Sequence, residues 1–255
     1  MSSVDLTIED GIAELCLNNP DKMNAFTLDM LDALAGHLDR LDRDASVRCV
    51  VLVAEGERAF CTGADINGWG DLSPAEFARF WVRDGHRIFD RLARLSKPTI
   101  AALNGYAFGG GLELAAACDI RVMAKGAALA LPEARVGIVP GWSGTQRLAR
   151  IMPEPMVREM ALFGRRISAD RAQACGFVAE IAEDAREKAR SIAEGVAKLS
   201  PRAAEIAKNM INAAANEDRA AMTEALGAAA IAATADRDEG VAAFREKRKP
   251  EFGGE

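Results

Sequence analysis

The sequence predicts an α/β protein in which a layered sheet with crossover helices is followed by a helical C-terminal region. Three observations carry that expectation. Short uninterrupted apolar runs, Cys49–Ala54 and Thr99–Leu103, read as strands covered on both faces, since a strand with one wet face would alternate. Between such runs the apolar residues switch to helical spacing, as in Leu28, Leu31, Leu34, Leu38 and Leu41. From Pro155 onward the pattern is mostly helical.

Taken in order, Val4–Glu9 and Ile12–Leu17 alternate around Asp10-Gly11, a dipeptide suited to a tight hairpin turn. Residues 18–22 form a loop, Thr27 caps the first helix, and the buried strand Cys49–Ala54 follows. The loop Glu55–Asp65 leads to a helix opened by Ser73-Pro74 and running to about Leu95. Next comes Lys97–Ile120, in which a strand, the run Gly109-Gly110-Gly111 and a new helix occupy 24 residues. Strands over Ile120–Met123 and Ala128–Leu131 complete the alternation. Ala182–Leu199, Pro201–Ala215 and Arg219–Ala235 read as alanine-rich helices, too small-faced to form a core alone, so they must lie on the main domain or on another subunit. The expected division is a core over residues 1–195 and a helical region over 196–255.

Composition narrows the function. With 255 residues, 49% hydrophobic, and mean hydropathy of −0.03, the chain reads as a soluble globular protein. Lys and Arg number 32 against 38 Asp and Glu, a formal charge of −6, which argues against a nucleic-acid partner. The five cysteines form no CxxC and no cluster with histidine, so they read as reduced core residues of a cytoplasmic protein, with no metal expected. No apolar run reaches membrane-spanning length and no basic leader opens the chain, so neither membrane insertion nor export is expected.

The chemistry concentrates at the glycine run. Three glycines let a backbone approach a ligand, and free N–H groups at the helix start suit a carbonyl oxygen that gains negative charge. Glu113 falls in the first turn of that helix, and a second carboxylate, Glu133, follows 20 residues later beside Pro132, at the end of a strand. Alone, Glu113 reads equally as a dipole-compensating acid and Glu133 as a solvated one.

Five ordered blocks carry a resemblance: Asn19-Pro20 with Lys22-Met23-Asn24-Ala25, FCTGADI at 60–66, KPTIAALNGYAFGGGLELAAACDI at 97–120, LPEARVGIVPGWSGTQRL at 131–148, and GVAAFREKRKPEFGG at 240–254. The chain resembles the crotonase (enoyl-CoA hydratase/isomerase) superfamily, in motif the enoyl-CoA hydratases. The resemblance implies a spiral of ββα turns with a helical C-terminal region, acting on an acyl-CoA thioester. No cofactor is held permanently, coenzyme A being part of the substrate. It places an oxyanion hole on the backbone N–H groups of Ala64 and Gly110, and thioester contacts at Lys22, Met23, Ala25, Ala64, Asp65, Ile66, Gly110, Trp142, Phe244 and Lys247. Retention of both Glu113 and Glu133 favours hydration over double-bond migration. Glu133 is then the acid that protonates the α-carbon and Glu113 the group that orients water, roles that coupled carboxylates can exchange. The implied assembly is a trimer or a hexamer built from two trimers.

Trp142-Ser143 stands where the family has small residues, so the indole either reshapes the acyl pocket or packs at a subunit contact. Trp69 and Trp81 fall where the family varies most and where the acyl tail is covered. His37 and His86 have no partner in the sequence and read as surface or packing residues. A serine hydrolase elbow fails because position 145 is Thr, and a dinucleotide site fails because the glycine run lacks GxGxxG spacing. A Δ3,Δ2-enoyl-CoA isomerase or a specialised acyl-CoA hydratase or lyase is the alternative within the superfamily, and a non-catalytic scaffold the alternative outside it.

Overall fold

The structure is a computed structural model that describes residues 2–254. Its contacts divide the chain into two compact units, Met1–Glu205 and Ile206–Glu255.

In the first unit the strands wind into two sheets. The hairpin β1 (Ser3–Glu9) and β2 (Ile12–Asn18) is antiparallel, and β2 pairs in parallel with β3 (Cys49–Ala54). Parallel pairing continues through β5 (Thr99–Leu103), β7 (Ile120–Ala124) and β10 (Glu180–Ala182), giving six strands in the order β1-β2-β3-β5-β7-β10. A four-stranded sheet runs β4 (Ala59–Cys61), β6 (Tyr106–Phe108), β8 (Ala128–Ala130) and β9 (Ile167–Ser168). Each turn thus lays one strand in the large sheet, the next in the small sheet, and returns through helix. The central strand β3 is apolar throughout because both of its faces are covered. Val50 and Leu52 enter the main core, while Cys49, Val51 and Val53 face the other way. Burying one such Leu or Val contributes roughly 1.5–3 kcal/mol.

The helices follow their caps. Thr27 accepts from the Met30 amide to start α1 (Leu28–Arg43), whose Leu31, Leu34, Leu38 and Leu41 are buried as spaced. Ser73 and Glu76 form a capping box at α2 (Pro74–Glu76), and the path continues through a wider π-type turn over Phe77–Val82 into α3 (Arg83–Ala93). The expected single helix is therefore one path with an altered register at Trp81.

Gly109 sits at φ 52° and ψ −126°, open to glycine only, and turns β6 into α4 (Gly110–Ala116). A Cβ on Gly111 would meet the Cys61 carbonyl oxygen at 2.1 Å, so α4 lies directly on β4. At its far end buried Arg121 closes the helix, donating to the carbonyls of Ala115, Cys118, Asp119 and Phe177 at 2.5–3.2 Å.

After β8, the helices α5 (Gly144–Ile151), α6 (Glu154–Phe163) and α7 (Ala169–Ala174) lead to β10. Then α8 (Ala185–Val196) lays Ala185, Ala189 and Ala193 on the outer face of β2, β3, β5 and β7, so the first alanine-rich helix covers the sheet. Helix α9 (Pro201–Ala214) crosses the division between units, and the second unit continues with α10 (Arg219–Ala232) and α11 (Ala235–Glu246). Its tail folds onto α11 through Arg248 to Glu239 and the Gly253 amide to Asp236. The short strands β4, β6, β9 and β10 correct the sequence reading, which treated them as connections or helix.

Candidate active site

The segments that follow β4 and β6 meet above the small sheet. After β4, Phe26 brackets residue 64: its amide donates to the Gly63 carbonyl at 2.8 Å and its carbonyl accepts from Asp65 at 2.8 Å. That pairing leaves the Ala64 amide facing away. A Cβ on Gly63 would lie 3.4 Å from Gly110 N, so the Ala64 segment abuts the start of α4. Neither the Ala64 nor the Gly110 amide donates a hydrogen bond among the described residues. Both residues line a cavity of about 290 Å³.

Glu113 and Glu133 line the same cavity, 3% and 8% exposed. Glu113 comes from the first turn of α4, and its Oε1 accepts from the amides of Trp142 at 2.8 Å and Gly144 at 2.7 Å. Glu133 follows β8, and its Oε2 is buried with no hydrogen-bond partner among the described residues. Burial pushes the Glu113 carboxyl up to about 7, with the Glu133 charge adding to the rise and the Gly144 and Trp142 amides opposing it. Burial raises Glu133 to about 7 as well. Two donors favour a charge on Glu113, and none faces Glu133 Oε2. The two carboxyls thus sit in unequal surroundings, with amides at Glu113 and an unpartnered oxygen at Glu133.

Trp142 forms one wall. Its indole is buried, donates from Nε1 to the Trp81 carbonyl at 3.1 Å, and packs against Phe26, Trp81 and Phe89 with ring centres 5.1–6.1 Å apart. A Cβ on Gly85 would meet its Nε1 at 2.2 Å, and a Cβ on Gly110 would meet its Cζ3 at 2.7 Å. The indole is thus clasped between two glycines, one of them the candidate oxyanion donor. The indole lines the cavity and is buried within its own chain. Trp69, Phe77, Trp81 and Val82 extend the wall, so the lining is chiefly aromatic and aliphatic.

The family model for enoyl-CoA hydratase/isomerase matches residues 7–255. The chain belongs to that family. It is similar to the short-chain-enoyl-CoA hydratase of Clostridium acetobutylicum, 34% identical over 98% of this chain and 97% of the relative. It is also similar to the (E)-benzylidenesuccinyl-CoA hydratase of Thauera aromatica, 35% identical over 98% and 99%. A solved structure of an enoyl-CoA hydratase from Bacillus anthracis superposes with a TM-score of 0.80 at 34% identity, covering 99% of each chain. The spiral of ββα turns is the crotonase fold, and the chain is an enzyme of a family that acts on CoA thioesters.

The other residues singled out in the crotonase blocks fall in two places. Lys22 Nζ pairs with Asp65 at 2.5 Å and holds that carboxyl below the usual carboxylate range. Met23 and Asn24 are both left-handed, and the Met23 carbonyl accepts the Thr62 amide at 3.1 Å. Ala25 is buried beside them and Ile66 is half exposed. Asn24, quoted in the sequence only as part of a motif, is 1% exposed and braces the segment: its side chain donates to Glu55 and Ala59 carbonyls at 2.9 Å and accepts from Asn19 at 2.8 Å. Phe244 and Lys247 belong to the second unit, Phe244 being 86% exposed and Lys247 the left-handed residue that ends α11.

His86 does have a partner, contrary to the sequence reading: its Nδ1 lies 3.0 Å from Ser143 Oγ, and Nε2 lies 3.6 Å from Asp90. His86 and Ser143 are 57 residues apart, which is why sequence alone did not pair them. No cluster of three or more metal-ligating side chains occurs among the described residues, and no helix is long and apolar enough to cross a membrane.

Proposed function

We propose that this protein is an enoyl-CoA hydratase, adding water across the 2,3 double bond of a 2-enoyl-CoA thioester to give the 3-hydroxyacyl-CoA. The observation that carries the reading is the pair of buried acids, Glu113 held by two amides and Glu133 with an unpartnered oxygen, beside two undonated backbone N–H groups. The thioester carbonyl is placed against the Ala64 and Gly110 amides, so that charge building on its oxygen meets donors already in position. Ionised Glu113 orients water and takes a proton from it as the water oxygen bonds to C3. The π electrons move through C2 to the thioester oxygen, and the enolate then takes the Glu133 proton at C2. Glu113 returns its proton to the pair, so the net change is one added water. Removing one such amide donor costs about 2.7–4 kcal/mol in rate terms.

Lys22, Met23, Ala25, Asp65 and Ile66 are proposed to contact the thioester arm, and Phe244 and Lys247 the nucleotide end of CoA. The five free cysteines fit a reducing compartment such as the cytoplasm. Trp142 favours a second reading inside the same chemistry, a specialised hydratase whose acyl group is matched to an aromatic-walled cavity. The reaction is tested by incubating crotonyl-CoA in ¹⁸O-labelled water, and 3-butenoyl-CoA separately. Label on C3 of a 3-hydroxy product is expected. Conversion of 3-butenoyl-CoA to crotonyl-CoA without hydration would replace this reading with an isomerase.

A further inference from the structure

Ser143 adopts φ 77° and ψ 12° at the start of α5, a left-handed conformation that costs a residue with a Cβ. It lies between the two residues whose amides hold Glu113: Trp142 donates to Oε1 at 2.8 Å and Gly144 at 2.7 Å. The direction of both amides therefore depends on the backbone at 143. Local sequence does not stabilise that backbone, because the Ser143 side chain caps no amide of α5. Its hydroxyl instead lies 3.0 Å from His86 Nδ1 and 3.4 Å from Nε2, in a position 6% exposed.

His86 is in turn fixed from α3. Asp90, one turn further along, lies 3.6 Å from Nε2. Asp90 also takes Arg147 Nη2 at 2.7 Å, and Arg147, 5% exposed, belongs to the helix that Ser143 begins. The chain of contacts closes on itself: α3 holds α5 through Asp90 and Arg147, and holds the residue before α5 through His86 and Ser143. None of Ser143, His86 and Asp90 lines the cavity. Ser143 is consequently no nucleophile for a thioester bound there.

We propose that His86 is a positioning residue: by bonding the Ser143 hydroxyl it holds residue 143 left-handed, which aims the Trp142 and Gly144 amides at Glu113. The inference concerns the geometry around Glu113, and only its kinetic readout rests on the hydratase reading. A bond to Ser143 survives in either protonation state of the ring, because the hydroxyl both donates and accepts. The device is therefore a fixed brace.

Glycine reaches the left-handed region without an anchor, so S143G should make His86 dispensable, whereas S143A should mimic loss of the histidine. The test is a double-mutant cycle of H86A, S143A, S143G and H86A/S143G. H86L, which keeps bulk without ring nitrogens, is run in parallel so that a folding defect peculiar to the alanine variant does not decide the result. In the Ser143 enzyme, removal of His86 is expected to lower kcat about 10-fold with a smaller change in KM, the rate equivalent of left-handed strain. In the S143G background the same removal should change kcat by less than about 2-fold, within the error of additivity. Hydrogen exchange at the Trp142 and Gly144 amides supplies a readout that needs no substrate: faster in H86A, H86L and S143A, and protected again in H86A/S143G. Unchanged protection in both H86A and H86L, or an equal effect of His86 removal in the two backgrounds, would overturn the proposal. A wild-type enzyme inactive on enoyl thioesters would sink the hydratase reading while the exchange result still decides this one.

Discussion

A carboxyl group withdrawn from water resists ionisation, and at this site two are withdrawn together. Glu113 and Glu133 are both raised to about 7 from an ordinary value near 4.5, burial being the first cause in each case. Between about pH 4.5 and 7 the folded chain thus binds more protons than the unfolded one, so these groups make stability fall as pH rises through that window. Glu133→Gln removes a titrating group while keeping its shape. The variant should gain stability relative to wild type on going from about pH 5 to about pH 8, by on the order of 1–3 kcal/mol at fixed protein concentration. Guanidinium unfolding at the two pH values measures it, and a stability difference that does not change with pH would mean Glu133 is not held protonated by burial. The two acids were singled out in the sequence through the family blocks, since alone Glu113 reads equally as a dipole-compensating acid and Glu133 as a solvated one. Which of them keeps the proton was not legible. The difference that favours one over the other, amides from residues 142 and 144 at Glu113 and no partner at Glu133 Oε2, is brought together only by the folded chain.

At the scale of elements, the site is a loop and a helix made for one indole. The path from Ser73 to Ala93 was readable as helix from its cap and periodicity, but the π-type turn over Phe77–Val82 was not. Its register brings the Trp81 carbonyl to Trp142, and it precedes Gly85, where any side chain would collide with the ring. Gly85→Ala should therefore reduce stability and activity together, in the range of about 1–3 kcal/mol expected for overpacking a core. In a Trp142→Ala background the same Gly85→Ala change should cost little, which thermal unfolding of the two single variants and the double would measure; a G85A protein as stable as wild type would contradict the clasp. Trp142→Ala alone should open the cavity and move the preferred acyl chain toward longer or bulkier groups, read as kcat/KM across a panel of enoyl thioesters, and an unchanged profile would reduce the indole to packing. The three-residue strands β4 and β6 escaped the sequence reading for a related reason. Three residues carry no periodicity, and their pairing is set by partners in the next turn of the spiral.

For the whole molecule, the sequence conveyed the alternation of the longer strands with helices and the family blocks. In the second unit Leu226, Ile231, Val241 and Phe244 are exposed, and α10 buries none of its residues. Apolar faces of this kind call for a cover, and a trimer or hexamer would supply it. Light scattering is expected to return three or six copies, and an active monomer would refute that. Lys247→Ala should raise KM for a full CoA thioester more than it lowers kcat and leave a pantetheine thioester nearly unaffected, since the smaller substrate has no nucleotide phosphates. Equal losses on both substrates would remove Lys247 from the nucleotide site. The paired acids are tested most directly by the hydration rate of crotonyl-CoA by Glu113→Gln and Glu133→Gln enzyme. Each single variant should fall at least about 100-fold in kcat with thioester binding nearly intact; near wild-type hydration by either one would contradict the two-acid mechanism.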